Sequence, residues 1–147
     1  LVEQEWVDYN GHMTEAAYLS AFGWGSDALF TYIGDNDAYR SAGNSFYTVE
    51  THIVYEVEAF LGEPLRIETR VLDVDVKRLH IHHTMFNGDN GKRLSTTEQM
   101  LVHVDMNAGK SAPILPHVAA ALDAIALSHS SLPTPEDVGR VMKIKKK

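Results

Sequence analysis

The chain has 147 residues, the length of one domain with a single core. Apolar residues make up 44% and charged residues 22%, as in average globular domains, and no run of about 18 apolar residues could span a membrane. Cysteine is absent, which excludes disulfides, thiolate metal sites and cysteine nucleophiles.

The formal charge of −7 is unevenly distributed along the chain. Residues 1–139 contain 8 basic and 20 acidic residues, whereas five basic residues lie in the last eight positions. An acidic body repels phosphate backbones, so we expect no nucleic-acid partner. We therefore predict one domain over residues 1–139 and a solvated basic tail over residues 140–147. The first residues show no signal-peptide pattern, so a cytoplasmic location is expected.

The N-terminal part of the sequence predicts a short strand over residues 3–7 and a long helix over residues 13–32. In the helix, apolar and aromatic residues recur at three- and four-residue spacing. Asn10 or Thr14 can cap its start, and Gly34 can follow its end. Apolar residues also lie off the main stripe, which predicts a helix buried on most sides. Glycines in the interior, Gly23 and Gly25, each cost about 1 kcal/mol relative to Ala, so we expect close approach of another backbone there.

Strand patterns dominate after a loop rich in turn formers over residues 34–45. The predicted strands cover residues 46–59, 65–76, 78–86 and 94–106, and a strong hairpin turn lies at residues 87–91. A loop over residues 107–116, a helix over residues 117–127 and a polar loop over residues 128–135 follow. One buried helix before an antiparallel sheet predicts an α+β fold with the sheet wrapped around the helix. A cystatin-like cone is the alternative fold, although more helices usually precede its sheet.

The stretch WVDYNGHM, residues 6–13, joins the first strand to the long helix. An acid, an amide and an imidazole converge there, where the first N–H groups of a helix are unpaired. Such N–H groups and the helix dipole can stabilise negative charge on a carbonyl oxygen, and a carboxylate can attack the carbonyl or activate water. Alternatively, Asp8 and Asn10 cap the helix and Gly11 permits the turn. The spacing alone leaves both interpretations open.

The string DYNGHM at residues 8–13, followed by Ala17 and Tyr18, resembles the signature of hotdog-fold acyl-CoA thioesterases of the 4-hydroxybenzoyl-CoA thioesterase type. The resemblance continues through Tyr55, GEPL at residues 62–65 and PILP at residues 113–116, and so covers nearly the whole chain. The longer string EWVDYNGHM is most similar to the betainyl-CoA thioesterases of carnitine breakdown, some of which are fused to carnitine dehydrogenase.

The resemblance implies a hotdog fold, in which the antiparallel sheet curls around the long central helix and a short C-terminal helix follows. It also implies a homodimer or a dimer of dimers, with pantetheine entering the active site between subunits. The implied reaction is hydrolysis of a short acyl-CoA, with betainyl-CoA as the expected substrate and no cofactor or metal. The family's acid matches Asp8, and its backbone donors match residues 11–13, with Gly11 or His12 favoured. In other branches of the family a carboxylate on the helix carries out the chemistry. The helix acids here, Glu15 and Asp27, do not clearly match that position.

The site residues that we predict fall into two groups. The catalytic candidates are Asp8, Asn10, Gly11 and His12, and the substrate-binding candidates are Trp6, Tyr9, Met13, Glu50 and His52. Trp6 and Tyr9 flank Asp8, so their rings could face a trimethylammonium group. Glu50 and His52 share a strand face, where a cross-strand polar pair is the alternative.

Other patterns and functions were weighed against this interpretation. The triplet GKS at residues 109–111 lacks the first glycine and the following helix of a phosphate loop. His80 and His82 share a strand face, but the sequence places no third metal ligand. Basic residues near strand ends could meet CoA phosphates or be solvated: Lys77, Arg78, Lys92 and Arg93. The competing functions are an acyl-CoA-binding module without turnover and a hotdog enoyl-CoA hydratase or dehydratase that pairs His12 with Asp8.

Overall fold

A computed structural model describes residues 1–144 of the chain. In chain order, the elements are a 3₁₀ turn Gln4–Trp6, α1 Glu15–Ile33, α2 Asp37–Ser41, β1 Asn44–Tyr55, β2 Leu65–Val74, β3 Arg78–Asn87, β4 Arg93–Asp105, β5 Lys110–Ser111 and α3 Pro116–His129. The strands form an antiparallel sheet in the order β1-β4-β3-β2, with the short β5 paired to β4. This arrangement confirms the predicted α+β class.

One face of the sheet packs against α1, and α3 packs mainly on β2. Two buried clusters fill the space between them. The first lies under the N-terminal half of α1 and includes Ala17, Tyr18, Ala21, Phe22, Met85 and Leu94. The second joins the C-terminal half of α1 to α3 and includes Leu29, Ile33, Leu79, Ile81, Leu101, Val118 and Leu122. These clusters fix the start of α1 relative to the sheet, which is where the candidate site lies.

One side of α1 is open in the single chain, which corrects the prediction of a helix buried on most sides. Phe22 is fully buried, but Leu19, Trp24 and Tyr32 are exposed. Gly25 is needed for packing, because a Cβ there would lie 2.9 Å from Ile67 Cγ2 and 3.4 Å from His83 Nδ1. The close approach is therefore to side chains of the sheet, and the expected backbone contact is wrong. Gly23 has no atom within 4 Å of an added Cβ.

The N-terminal segment differs from the predicted strand over residues 3–7. It forms a 3₁₀ turn, and only Val7 makes an isolated bridge, with Met13. The helix starts at Glu15, later than predicted, because the amide of Met13 donates to Ala59 O and that of Thr14 donates to Trp6 O. The helix ends as expected, with Gly34 in the left-handed conformation at φ 94°.

Two short elements were not predicted. The loop over residues 34–45 contains α2, whose N-cap Asn36 accepts a hydrogen bond from the amide of Tyr39. The loop over residues 107–116 contains β5. Both arise from residues that also favour turns, so composition alone indicated loops.

The four main strands are confirmed, with shifted ends. β1 stops at Tyr55 rather than at residue 59, because the amides of Glu56 and Val57 both donate to Leu94 O and end the ladder. β2 stops at Val74, where Asp75 begins a tight turn by accepting hydrogen bonds from the next residues. α3 runs further than predicted, from Pro116 to His129.

The C-terminal segment returns across the sheet after α3. Asp137 accepts hydrogen bonds from His82 on β3 and Thr96 on β4, and the amide of Gly139 donates to Glu98. The predicted basic tail over residues 140–147 is exposed as far as residue 144, and its last three residues lie outside the described part of the chain.

Candidate active site

Asp8 lies in a tight loop that main-chain hydrogen bonds hold together. The amide of Asp8 donates to His12 O at 2.9 Å, and the amide of Gly11 donates to Asp8 O at 3.0 Å. Gly11 has φ 77°, a conformation that favours glycine. The loop therefore has a fixed shape before any ligand binds.

The Asp8 carboxylate accepts hydrogen bonds from amides of its own loop and not from amides of α1. Its Oδ1 accepts hydrogen bonds from the amide of Asn10 at 2.8 Å and from that of His12 at 3.3 Å, and Asn10 Nδ2 lies 3.5 Å from Oδ2. The N-cap position of α1 is Thr14, which makes no side-chain cap bond. The helix-capping interpretation of Asp8 and Asn10 is therefore wrong.

These contacts also set the charge of Asp8. The hydrogen bond from the Asn10 amide is the largest cause that lowers the pKa of the carboxyl, and it outweighs the opposing effect of burial. A pKa below the ordinary value of 3.8 leaves Asp8 ionised at neutral pH. An ionised carboxylate can act as a nucleophile or as a base toward water.

The loop is attached to the segment that follows β1. The amide of Met13 donates to Ala59 O at 2.8 Å, and His12 forms a bridge with Phe60. The His12 ring lies edge-on to Phe60 at 4.9 Å, and its Nδ1 is 3.7 Å from the carboxylate of Glu58. The ring of His12 thus faces Phe60 and Glu58, and only its main-chain groups hydrogen-bond to Asp8, so this geometry does not form the Asp8–His12 acid–base pair of a hydratase.

The predicted backbone donors are occupied inside the loop. The amides of Gly11, His12 and Met13 donate to Asp8 O, Asp8 Oδ1 and Ala59 O, respectively. In contrast, the amides of Glu15 and Ala16 at the start of α1 donate no hydrogen bond to any acceptor within residues 1–144. The first turn of α1 therefore offers open donors beside the loop, together with the positive end of the helix dipole.

A pocket of about 480 Å³ opens at this end of α1. It is lined by Met13, Glu15, Tyr18, Tyr55, Glu56, Val57 and Glu58, and we call it the tyrosine–glutamate pocket. Of these residues, only Met13 was predicted as a site residue, because the others lie on α1 or at the end of β1 and meet the loop only after folding. Glu56 and Glu58, two acids at alternate positions directly after β1, are the feature of the sequence that could have indicated this pocket.

The aromatic candidates lie elsewhere. Trp6 is buried, and its ring packs on that of Trp24 at 4.8 Å. Tyr9 is 97% exposed at the tip of the loop. Neither the Trp6 ring nor the Tyr9 ring lines the tyrosine–glutamate pocket.

Glu50 and His52 lie away from Asp8 in the single chain. Ile53, on the same strand, packs into the core beneath α1. Because successive side chains of a strand point to opposite faces, Glu50 and His52 lie on the face of the sheet that points away from α1. There they line a second pocket with His80 and Glu98. On this face His80 pairs with Glu98 at 2.7 Å, and neither Glu50 nor His52 takes part in that pair.

Within residues 1–144, no group of three or more His, Asp or Glu side chains is arranged to hold a metal ion. None of the helices in this part of the chain is both long and apolar enough to cross a membrane.

The sequence matches the thioesterase-like superfamily over residues 2–122. This chain belongs to that superfamily. A solved structure from Pseudomonas putida KT2440, described as a thioesterase, has a TM-score of 0.84 at 34% identity and covers 99% of this chain and 93% of its own. The match confirms the predicted resemblance to hotdog-fold thioesterases.

Curated relatives in the superfamily carry more specific names. The chain is 48% identical to an L-carnitine dehydrogenase/betainyl-CoA thioesterase of Rhizobium meliloti over 139 aligned residues. The aligned region covers 95% of this chain and 28% of that protein. It is 43% identical to a betainyl-CoA thioesterase of Pseudomonas aeruginosa over 139 aligned residues, and this aligned region covers 94% of this chain and 87% of that protein. The chain thus spans little more than a quarter of the first relative and most of the second.

Proposed function

We propose that this chain hydrolyses a short acyl-CoA thioester, with betainyl-CoA as the substrate. The observation that carries the proposal is the ionised Asp8 carboxylate, fixed in a loop beside the open N-terminus of α1. The names of the two curated relatives support betainyl-CoA as the acyl group. The products are glycine betaine and free CoA.

In the proposed reaction, the thioester carbonyl lies next to the first turn of α1. The open amides of Glu15 and Ala16 and the helix dipole stabilise the charge that develops on the carbonyl oxygen. Asp8 either attacks the carbonyl carbon itself or removes a proton from a water that attacks it. The C–S bond of the tetrahedral intermediate then breaks, and the CoA thiolate leaves with little need for acid assistance. Attack by water gives glycine betaine directly, whereas attack by Asp8 leaves a mixed anhydride that water hydrolyses to glycine betaine and free Asp8.

The proposed assembly is a homodimer or a dimer of dimers. β1 is an edge of the sheet, and among residues 1–144 it pairs only with β4. Exposed side chains on this edge strand, Tyr47 and Val49, support pairing with a second copy. A cytoplasmic location and the lack of a nucleic-acid partner stay predictions, and the acidic composition favours the latter.

A thiol-release assay on a panel of acyl-CoAs tests the proposed function. We expect betainyl-CoA to be hydrolysed, and we expect Asp8→Asn to lower kcat by roughly 10²–10⁴. Asparagine keeps an Oδ1 acceptor for the two loop amides, so folding is expected to survive, which circular dichroism checks. An Asp8→Asn variant within about threefold of the wild-type kcat contradicts the role of Asp8, and binding without thiol release favours a non-catalytic module.

Oxygen-18 water separates the two routes in a single turnover. Label that enters the Asp8 carboxylate indicates the mixed anhydride, because water then attacks the aspartyl carbonyl. Label found only in glycine betaine fits two routes: Asp8 acts as a base, or water attacks the acyl carbonyl of the anhydride. Trapping of the anhydride with hydroxylamine distinguishes these two routes, because only the second one forms an anhydride.

A further inference from the structure

The tyrosine–glutamate pocket has a preorganised aromatic wall. The hydroxyl of Tyr55 donates to Glu15 O at 3.2 Å, and the rings of Tyr55 and Tyr18 meet edge to face at 5.3 Å and 80°. Tyr18 is fixed in turn, since its hydroxyl donates to Val57 O and accepts from the amide of Ala59. Tyr55 is 47% exposed, so part of its ring is free to contact a ligand in the pocket.

The charge of the pocket is negative. Three carboxylates line it, and one of them, Glu56, is paired with Arg93 at 2.7 Å. Among the described residues Glu15 has no salt bridge, and the only ion-pair partner of the Glu58 carboxylate is His12, at 3.7 Å. No Lys or Arg lines the pocket within residues 1–144. Two acidic groups therefore remain without a permanently charged partner beside an aromatic ring.

This combination suits one chemical class of ligand. A quaternary ammonium group has no N–H to donate, so a protein recognises it by aromatic ring faces and by negative charge. A neutral alkyl group of the same shape gains the apolar contact but not the electrostatic attraction. The pocket therefore has the chemistry to distinguish the two.

The pocket borders the C-terminal end of the Asp8 loop. Met13 lines the pocket and pairs with Val7, the residue before Asp8. His12 connects the two sides, because its amide contacts Asp8 Oδ1 and its ring lies beside Glu58. In a betainyl group a single methylene separates the quaternary nitrogen from the reacting carbonyl carbon. A cation site must therefore lie close to the catalytic carboxylate, and this pocket meets the Asp8 loop at Met13 and, through Glu58, at His12.

We propose that the tyrosine–glutamate pocket is the subsite for the trimethylammonium group, and that Tyr55 and Glu58 determine the preference for a cationic over a neutral acyl group. The proposal rests on the proposed thioesterase function and adds the residues that select the substrate. It replaces Trp6 and Tyr9 as the candidate cation-binding residues, because one ring is buried against Trp24 and the other points into solvent.

The test compares betainyl-CoA with 3,3-dimethylbutyryl-CoA, in which carbon replaces the quaternary nitrogen. The ratio of the two kcat/KM values is measured for wild type, Tyr55→Leu, Tyr55→Phe and Glu58→Gln. Intrinsic thioester reactivity cancels when these ratios are compared between variants. Asp123→Asn is the matched control, since it removes one exposed carboxylate on α3, outside the pocket.

We expect Tyr55→Leu and Glu58→Gln each to lower the ratio by roughly 3- to 30-fold, with a smaller effect on the neutral substrate. Tyr55→Phe keeps the ring and is expected to retain most of the preference, and Asp123→Asn is expected to match wild type. Glu58 is exposed, so its variant is expected to fold even if Tyr55→Leu does not. If wild type hydrolyses betainyl-CoA but the ratios of Tyr55→Leu and Glu58→Gln equal that of wild type, the subsite is overturned and the proposed function stands.

Binding of tetramethylammonium, followed by NMR, gives a readout that does not need turnover. Binding that weakens in Glu58→Gln but not in Asp123→Asn supports the subsite. If wild type does not hydrolyse betainyl-CoA yet shows this binding pattern, the assigned substrate fails and the cation site stands. Absence of both turnover and binding overturns both proposals.

Discussion

His83 is a buried imidazole that joins α1 to the sheet. Its Nε2 lies 3.0 Å from Ser26 Oγ on α1, and its Nδ1 lies 2.8 Å from Thr69 Oγ1 on β2. Phe22 stacks on the ring at 5.9 Å. Burial is the main cause that lowers the pKa of His83 to about 4, and the neighbouring His82 lowers it further. The imidazole is therefore neutral in the folded protein at neutral pH.

This lowered pKa predicts acid sensitivity. Unfolding lets His83 take up a proton near pH 6.5, whereas the folded protein resists protonation down to about pH 4. Its contribution to stability is therefore complete above pH 6.5 and is lost as the pH falls toward 4. Between pH 7.5 and pH 5 we expect the free energy of unfolding to fall by roughly 2 kcal/mol from this residue. Urea unfolding of wild type and His83→Gln checks this, and equal pH slopes for the two proteins contradict it.

At the residue scale, the sequence singled out Asp8 as the candidate carboxylate, with Asn10, Gly11 and His12 beside it, but it did not predict the pocket next to this loop. Asp8 stands out because an acid precedes a glycine turn and a long helix pattern, all within a local stretch of chain. Tyr55 and Glu58 are distant in sequence and reach the site only through the packing of β1 on α1. The hydrogen-bond partners of Asp8 depend on loop dihedral angles that side-chain spacing does not specify.

The segment after α3 is held to the sheet by a second set of specific contacts. The guanidinium of Arg70 on β2 donates to three main-chain carbonyls, those of His129, Leu132 and Pro133. Further along, Asp137 is partly buried, which acts to raise its pKa. The hydrogen bonds from Thr96 and His82 outweigh this effect, so the pKa of Asp137 is lowered. The segment is thus bound at both ends across the outer face of the sheet.

Loss of the Arg70 contacts is expected to free this segment. Hydrogen bonds to charged groups contribute about 1.5–3 kcal/mol each, although partly exposed ones contribute less, so we expect Arg70→Ala to destabilise the protein by roughly 1–3 kcal/mol. Limited proteolysis is expected to cut within residues 130–139 sooner than in wild type. Arg66→Ala is the matched control on the same strand, where Arg66 pairs with the exposed Glu68. Similar cleavage rates in the two variants contradict the proposed anchoring.

At the element scale, the long periodic patterns were the reliable ones. The alternation over β2 and the hairpin turn before β4 predicted strands that the structure contains, because side chains on one face of each must be buried. The 3₁₀ turn at Gln4–Trp6 and the short α2 were missed, since three to five residues carry no periodicity. The segment before the 3₁₀ turn is held by a hydrogen bond from the Val2 amide to Glu63 O, a contact that only the folded chain provides.

For the whole molecule, the uncovered edge of β1 predicts association. β1 is the longest exposed edge of the sheet, and Val49 on it is 59% exposed. Pairing of two such edges around a two-fold axis satisfies their free backbone groups. Exposed aromatic side chains on the open side of α1 add apolar surface: Trp24 and Tyr32.

We therefore expect a dimer or a larger assembly in sedimentation velocity at micromolar concentration. Val49→Lys is expected to shift the distribution toward monomer, because it places a charge on the pairing edge. Val76→Lys is the matched control, in an exposed turn between β2 and β3. A wild-type monomer that retains full activity contradicts both the dimer and a site shared between subunits.

The Asp8 loop also has an evolutionary consequence. Its shape depends on main-chain hydrogen bonds and on one carboxylate, whereas the side chain of Tyr9 at its tip is almost fully exposed. The proposed acyl-group selectivity depends instead on residues of α1 and of the segment after β1. Under the proposed function, mutations in those residues can change the substrate after gene duplication without disturbing the Asp8 loop. A duplicated copy thus has a route toward a new acyl group while it keeps the proposed catalytic carboxylate.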